Sequence, residues 1–153
     1  MSCHKFSNSS RLQFKLERLG LSNRVIMSKS ILIIDDEEDV KDIAQMGLEM
    51  AADWRVITAN TGKEGLILAE NKQPEVILLD LMMPEWDGKE TLKQLKANLY
   101  TAAIPVILMT AKTQSEIASE LIKLDLAGVI TKPFRPLELP EKITDLLNRA
   151  FAK

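Results

Sequence analysis

Three stretches of the chain are apolar without interruption: "ILIID" (31–35), "EVILLD" (75–80) and "IPVILMT" (104–110). A continuous apolar run suits a strand buried on both faces, as in a parallel sheet, rather than one with a wet side. "WRVITA" (54–59) is β-branched and strand-like, and "AGVIT" (127–131) is a shorter run of the same kind. Between them the pattern changes to helical spacing. "EDVKDIAQMGLEMA" puts Val40, Ile43, Ala44, Met46 and Gly47 at that spacing. "TGKE" (61–64) has the form of a capping box, and "GLILAENK" continues the helix it opens. "KETLKQLKANL" is amphipathic, "SEIASELIKL" reads as a further helix, and "LELPEKITDLLNRAF" closes the chain with another. Pro74, "MPEWDG" and "KPFRP" mark turns and loops.

The order is β-α five times over, which predicts a parallel α/β sheet with helices on both faces and right-handed crossovers. In such sheets ligands bind beyond the carboxyl ends of the strands. Those ends hold Asp35-Asp36, Asp80, Thr110 and, just past the last strand, Lys132. The sequence therefore predicts three carboxylates, a hydroxyl and an ammonium at one edge.

Charge sharpens the picture. The net charge is only −2, yet "ILIIDDEED" ends one strand in five consecutive acids. Close carboxylates repel, and burial raises that cost. One lysine offsets part of it. A hard divalent cation with oxygen ligands offsets the rest, and Mg²⁺ suits a wet site of one or two carboxylates plus a phosphate. Asp80 then remains as a nucleophile, since carboxylates form phosphoryl intermediates.

Charge also divides the chain. Residues 1–29 hold six basic side chains against Glu17 alone, and residues 30–153 hold 14 basic against 21 acidic. A basic leader thus precedes an acidic body, which is poorly suited to non-specific nucleic-acid binding. Met27 opens "MSKSILIIDDEED", which reads as a natural protein start. Residues 1–29 are expected to be an extension, disordered or upstream of the true start at Met27, with a transit peptide or a surface-binding helix left open. No apolar run reaches the length of a membrane span. One cysteine, Cys3, excludes an intrachain disulfide, and a cytoplasmic setting is expected.

"ILIIDDEED", "VILLDLMMPEWDG", "PVILMTA" and "VITKPF", in that order and each at a strand end, resemble the receiver domain of two-component response regulators across about residues 30–153. The resemblance implies a CheY-like, flavodoxin-like (βα)5 fold with strand order 2-1-3-4-5. It implies that Asp80 is the phosphoacceptor. Asp36 would ligate Mg²⁺ directly, Asp35 through water and hydrogen bonds, and Asp80 and the backbone carbonyl of Met82 would complete the protein ligands. Lys132 would pair with the phosphoryl oxygens, and Thr110 would swing to hydrogen-bond them. Ala111 is small enough to admit the phosphate, and a cis bond before Pro133 is typical of the family. Val129 departs from the pattern, because many receivers carry Tyr or Phe there; Phe134 is not its equivalent.

The resemblance further implies a sensor histidine kinase or phosphotransfer protein as donor and an unidentified downstream protein. Direct DNA binding is not expected. The 21 residues after Lys132 and the 30 before Ile31 leave room for no output domain, so a stand-alone switch or phosphorelay member is expected. The output face would combine "SEIASELIKL", "AGVIT" and the last helix, with a monomer or weak dimer formed through it. Two other functions make different demands on these residues. A phosphohydrolase using an aspartyl phosphate, of the haloacid-dehalogenase kind, carries a second Asp two residues after the nucleophile; here that residue is Met82. Slow self-dephosphorylation rather than enzymatic turnover is therefore expected. A phosphate-independent binding module would need no complete acidic pocket. "TANTGKEGL" is no phosphate loop, since Ile57 stands where its first glycine should be and Lys63 is followed by Glu64. His4 is the only histidine, so the body cannot be a histidine phosphotransfer protein.

Overall fold

The computed structural model describes residues 29–112, 115–116 and 123–151. It contains β1 (Ser30–Ile34), α1 (Glu38–Ala52), β2 (Arg55–Ala59), α2 (Gly62–Lys72), β3 (Val76–Asp80), α3 (Gly88–Ala97), β4 (Val106–Thr110) and β5 (Gly128–Thr131). A 3-10 turn at Pro136–Glu138 leads into α4 (Leu139–Phe151). The leader and most of the helix predicted over 115–124 lie outside the described residues.

The five strands form one parallel sheet in the order β2-β1-β3-β4-β5. The three unbroken apolar runs became its centre: every residue of β1, β3 and β4 is buried. The edge strands β2 and β5 are only partly covered. Side chains alternate across a strand, so each central strand supplies two cores. Leu32, Ile34, Ile77, Leu79 and Leu108 pack with Ala69 of α2 and Leu92 and Leu95 of α3. Ile31, Ile33, Leu78 and Met109 pack with Ala44 and Leu48 of α1 and Leu139 and Ile143 of α4. Burial of each of the leucine, isoleucine and methionine side chains contributes about 1.5–3 kcal/mol.

The helix starts follow local chemistry. Thr61 caps α2 by accepting from the Glu64 amide at 3.1 Å, and the Glu64 carboxylate accepts from the Asn60 amide at 2.6 Å. Asp87 caps α3 in the same manner, accepting from Glu90 N at 2.9 Å. The inner face of α1 differs from expectation. Ala44 and Gly47 point inward, but Ile43 and Met46 are exposed, and Lys41 and Leu48 are buried in their place. Two contacts set this rotation. A Cβ on Gly47 would fall 2.0 Å from the Pro136 carbonyl oxygen, so the helix lies against the 3-10 turn through its glycine. Lys41 turns its ammonium to Glu38, at 2.8 Å, and to the side-chain oxygen of Asn60.

Trp54 is buried beneath the sheet's amino-terminal rim, with Lys29 Nζ 5.4 Å from its ring centroid, as a packing role requires. Met83 is likewise buried in the core as its loop covers the sheet edge.

Candidate functional site

Backbone hydrogen bonds hold the carboxyl ends of the strands level. Asp35 N donates to Ala59 O at 3.1 Å, Leu81 N to Met109 O at 3.0 Å, and Lys132 N to Thr110 O at 2.8 Å. Asp35, Asp80, Thr110 and Lys132 therefore sit on one rim, each from a different strand end. The peptide bond between Lys132 and Pro133 is cis.

Asp35 is fully buried. Its Oδ1 accepts from the Glu37 amide at 2.9 Å, and its Oδ2 accepts from Lys132 Nζ at 3.0 Å. Asp80 is also buried; its Oδ1 accepts from Lys132 Nζ at 3.1 Å and, more weakly, from the Met82 amide at 3.4 Å. Asp80 Oδ2 is buried with no hydrogen-bond partner among the described residues. Asp36 is exposed, yet a carboxylate oxygen from each of Asp35, Asp36 and Asp80 lies within 4.8 Å of the others.

The electrostatics follow from this crowding. Burial pushes the Asp80 carboxyl up to about 6, and the charge of Asp35 pushes the same way; Lys132 and the Met82 amide pull against both. Burial works against the Lys132 ammonium, but its bonds to Asp35 and Asp80 prevail and raise it above the usual lysine value. One ammonium does not neutralise three carboxylates. An orphaned buried oxygen beside two more carboxylates is the donor set of a hard divalent cation, so the residues fit a metal of that class.

The remaining predicted residues are placed less directly. Thr110 is buried, and it follows Met109, the register partner of Asp80. Its hydroxyl accepts from the Lys112 amide at 3.0 Å, a local turn that holds it in the resting rotamer. Ala111 is exposed beside it. The Met82 side chain is largely exposed while its amide folds back onto Asp80. Val129 pairs with Leu108 and packs against the core on the α2–α3 side. Trp86 is half-buried in the loop after β3, with Lys63 Nζ 5.7 Å from its ring centroid.

Glu37 was not singled out from the acid run, yet its carboxylate also accepts from Lys132 Nζ, at 3.3 Å. The signal was its place directly after the aspartate pair, but nothing local says which way an acid at a helix start will turn.

The "Response regulator receiver domain" family model matches residues 31–144. The chain belongs to that family. It is 36% identical over 124 residues to the alkaline phosphatase synthesis transcriptional regulatory protein PhoP of Bacillus subtilis, covering 81% of this chain and 50% of that protein. It is 34% identical over 124 residues to the phosphate regulon transcriptional regulatory protein PhoB of Pseudomonas aeruginosa, covering 81% and 54%. The chain thus spans about half the length of these curated relatives. The chemotaxis response regulator CheY4 of Vibrio cholerae superposes with a TM-score of 0.73 at 26% identity, covering 79% of this chain and all of that one. The N-terminal domain of a receiver protein from Methanoculleus marisnigri gives 0.62 at 35% identity, covering 77% and 95%. The receiver fold and strand order expected from the sequence are those observed. No helix among the described residues is long and apolar enough to cross a membrane.

Proposed function

We propose that the chain is a phosphoacceptor switch. Asp80 takes a phosphoryl group from a histidine kinase or phosphotransfer protein, and the modified domain then acts through protein contacts or passes the group on. The observation that carries this reading is the arrangement around Asp80: a buried oxygen without a partner among the described residues, two further carboxylates, and an ammonium already in contact. In the transfer, an Asp80 oxygen forms a bond to phosphorus as the donor's P–N bond breaks, and the electron pair leaves on the imidazole nitrogen. No proton need be removed from Asp80 above pH 6, where its carboxyl is mostly ionised.

Asp35, Asp36, Asp80 and the Met82 carbonyl would hold Mg²⁺, which when bound neutralises charge developing on the transferring group. Lys132 follows the phosphoryl oxygens from its present contact with Asp80. Thr110, whose hydroxyl oxygen accepts from the Lys112 amide, turns its O–H to donate to the phosphoryl group. Val129 packs into the core with no aromatic ring to swing, so the change at Thr110 must be transmitted by packing on the β4–β5 edge. Met82 stands where a phosphohydrolase keeps its second Asp, which supports slow self-dephosphorylation rather than turnover. The acidic body supports a protein partner over direct contact with DNA.

Intact-mass measurement after incubation with acetyl phosphate and Mg²⁺ tests the reading. One acid-labile phosphoryl group is expected on the wild-type chain and none on Asp80→Asn; retention of the label by Asp80→Asn would reassign the acceptor. Tryptophan fluorescence offers an independent check. Trp86 lies in the loop leaving Asp80, while Trp54 sits at the other rim and serves as background. A change is expected on Mg²⁺ titration in the wild type and not in Trp86→Phe; an unaltered response in Trp86→Phe would separate this loop from the pocket.

A further inference from the structure

Glu37 occupies the N-cap of α1 in extended backbone, but its side chain caps nothing. The shorter Asp, Asn, Ser and Thr ordinarily accept there from the amides of the first helical turn. Here the carboxylate turns off the helix and accepts from Lys132 Nζ at 3.3 Å. The helix forgoes a cap and the ammonium gains a third carboxylate, beside Asp35 at 3.0 Å and Asp80 at 3.1 Å. An ammonium has three N–H donors. All three are therefore engaged in the resting site: the N–H facing Asp80 can pass to a phosphoryl group formed there, and a second N–H reaches that group only if Asp35 or Glu37 releases it.

The three acceptors differ in what release costs. The side chains of Asp35 and Asp80 retain 0% and 4% of their exposure, whereas that of Glu37 retains 60%. Returning Glu37 to water requires little, while uncovering Asp35 strands a buried charge; Asp80 gives up its own carboxylate charge when its oxygen bonds to phosphorus. The backbone amide of Glu37 donates to Asp35 Oδ1 at 2.9 Å, a bond that survives any change of the side chain. The side chain can thus be altered without moving Asp35.

We propose that Glu37 is a positioning residue that holds one N–H of Lys132 in the resting site and competes with the phosphoryl group for it, slowing the phosphorylation of Asp80. This rests on Asp80 being the phosphoacceptor. With acetyl phosphate as donor, an Asp80 oxygen–phosphorus bond forms while the bond from phosphorus to the bridging oxygen breaks, its electron pair leaving with acetate. Lys132 is needed on the phosphoryl oxygens during that step, and Glu37 draws it away.

The test compares Glu37→Gln and Glu37→Asp with the wild type at saturating Mg²⁺, with Asp80→Asn as control and melting curves to verify folding. Glu37→Gln is expected to be phosphorylated about twofold to fivefold faster at low salt, as the loss of one partly exposed ion pair allows, and the gain should fade at high salt. Glu37→Asp keeps the charge but is one methylene too short for the contact, so its rate should match that of Glu37→Gln. Mg²⁺ affinity, read by tryptophan fluorescence, should weaken in Glu37→Gln and stay unchanged in Glu37→Asp, a contrast that a general loosening of the site would not produce. A wild-type rate in either variant overturns the role of Glu37 and leaves Asp80 as acceptor standing, provided the wild type is labelled and Asp80→Asn is not. Absence of label on the wild type removes the underlying reading itself.

Discussion

Asp80→Asn is expected to accept no phosphoryl group and, in chelator at pH 8, to unfold about 4–10 °C above the wild type. The first effect removes the nucleophile: an amide oxygen does not form the phosphoryl ester. The second follows from the resting electrostatics. The Asp80 carboxyl titrates near 6 instead of its ordinary 3.8, chiefly because it is buried and then because Asp35 is charged beside it. A raised acid favours the folded state only while protonated. Its stabilising effect is complete below the ordinary value and is lost as pH climbs through 6, leaving the charged form about 2–3 kcal/mol less stable at pH 8. Asparagine removes that charge, keeps an acceptor for Lys132 and offers an amide N–H₂ where Oδ2 has no partner among the described residues. The advantage should shrink towards pH 4, where wild-type Asp80 is also neutral. Saturating Mg²⁺ should narrow it as well by stabilising the wild type through binding. Melting curves of both proteins across pH 4–8 check the claim. Equal unfolding temperatures at pH 8 would mean that Asp80 is not electrostatically strained.

Most of the strands and their order of use along the chain were legible, because a central parallel strand must be apolar on both faces and only three stretches are. The β2 and β5 edges showed weaker patterns for the same reason: each has a neighbour on one side only, and solvent reaches β2 at Arg55 and Thr58. The site was legible where it depended on topology alone. Asp35, Asp80, Thr110 and Lys132 each end a strand or follow one, so parallel strands were bound to bring them to one rim. What was not legible depends on side-chain direction. Ile43 and Met46 share the helical spacing of a buried face, but the glycine contact at Pro136 rotated α1 so that Lys41 went in and they stayed out. Glu37 could have capped its helix, stood in water or turned to Lys132; the deciding cation is 95 residues away in the chain. The Thr110 hydroxyl is held by the Lys112 amide, a turn that a strand pattern does not reveal.

Replacing Lys132 should have the opposite effect to neutralising Asp80. Methionine keeps most of the lysine stem's volume and removes the ammonium. Asp35, fully buried, would then face Asp80 with no cation between them in the absence of metal. Removing one partner of a buried ion pair typically costs about 3–5 kcal/mol, because the other charge is left stranded. At pH 8 in chelator, Lys132→Met is therefore expected to unfold well below the wild type. The lysine's own titration does not alter this sign. Its pKa is raised above the ordinary 10.5, so its contribution is fully present at and below neutral pH and is lost only in strong alkali. Two treatments should restore the variant. Acidification through pH 6 protonates Asp80, whose carboxyl rises further once Lys132 no longer pulls it down. Mg²⁺ should raise the variant's unfolding temperature more than the wild type's, since no resident ammonium opposes a cation entering among Asp35, Asp36 and Asp80. Thermal unfolding with and without Mg²⁺ at pH 5 and pH 8 reads both. A variant as stable as the wild type at pH 8 in chelator, or one indifferent to Mg²⁺, would show that these carboxylates are not held together by Lys132.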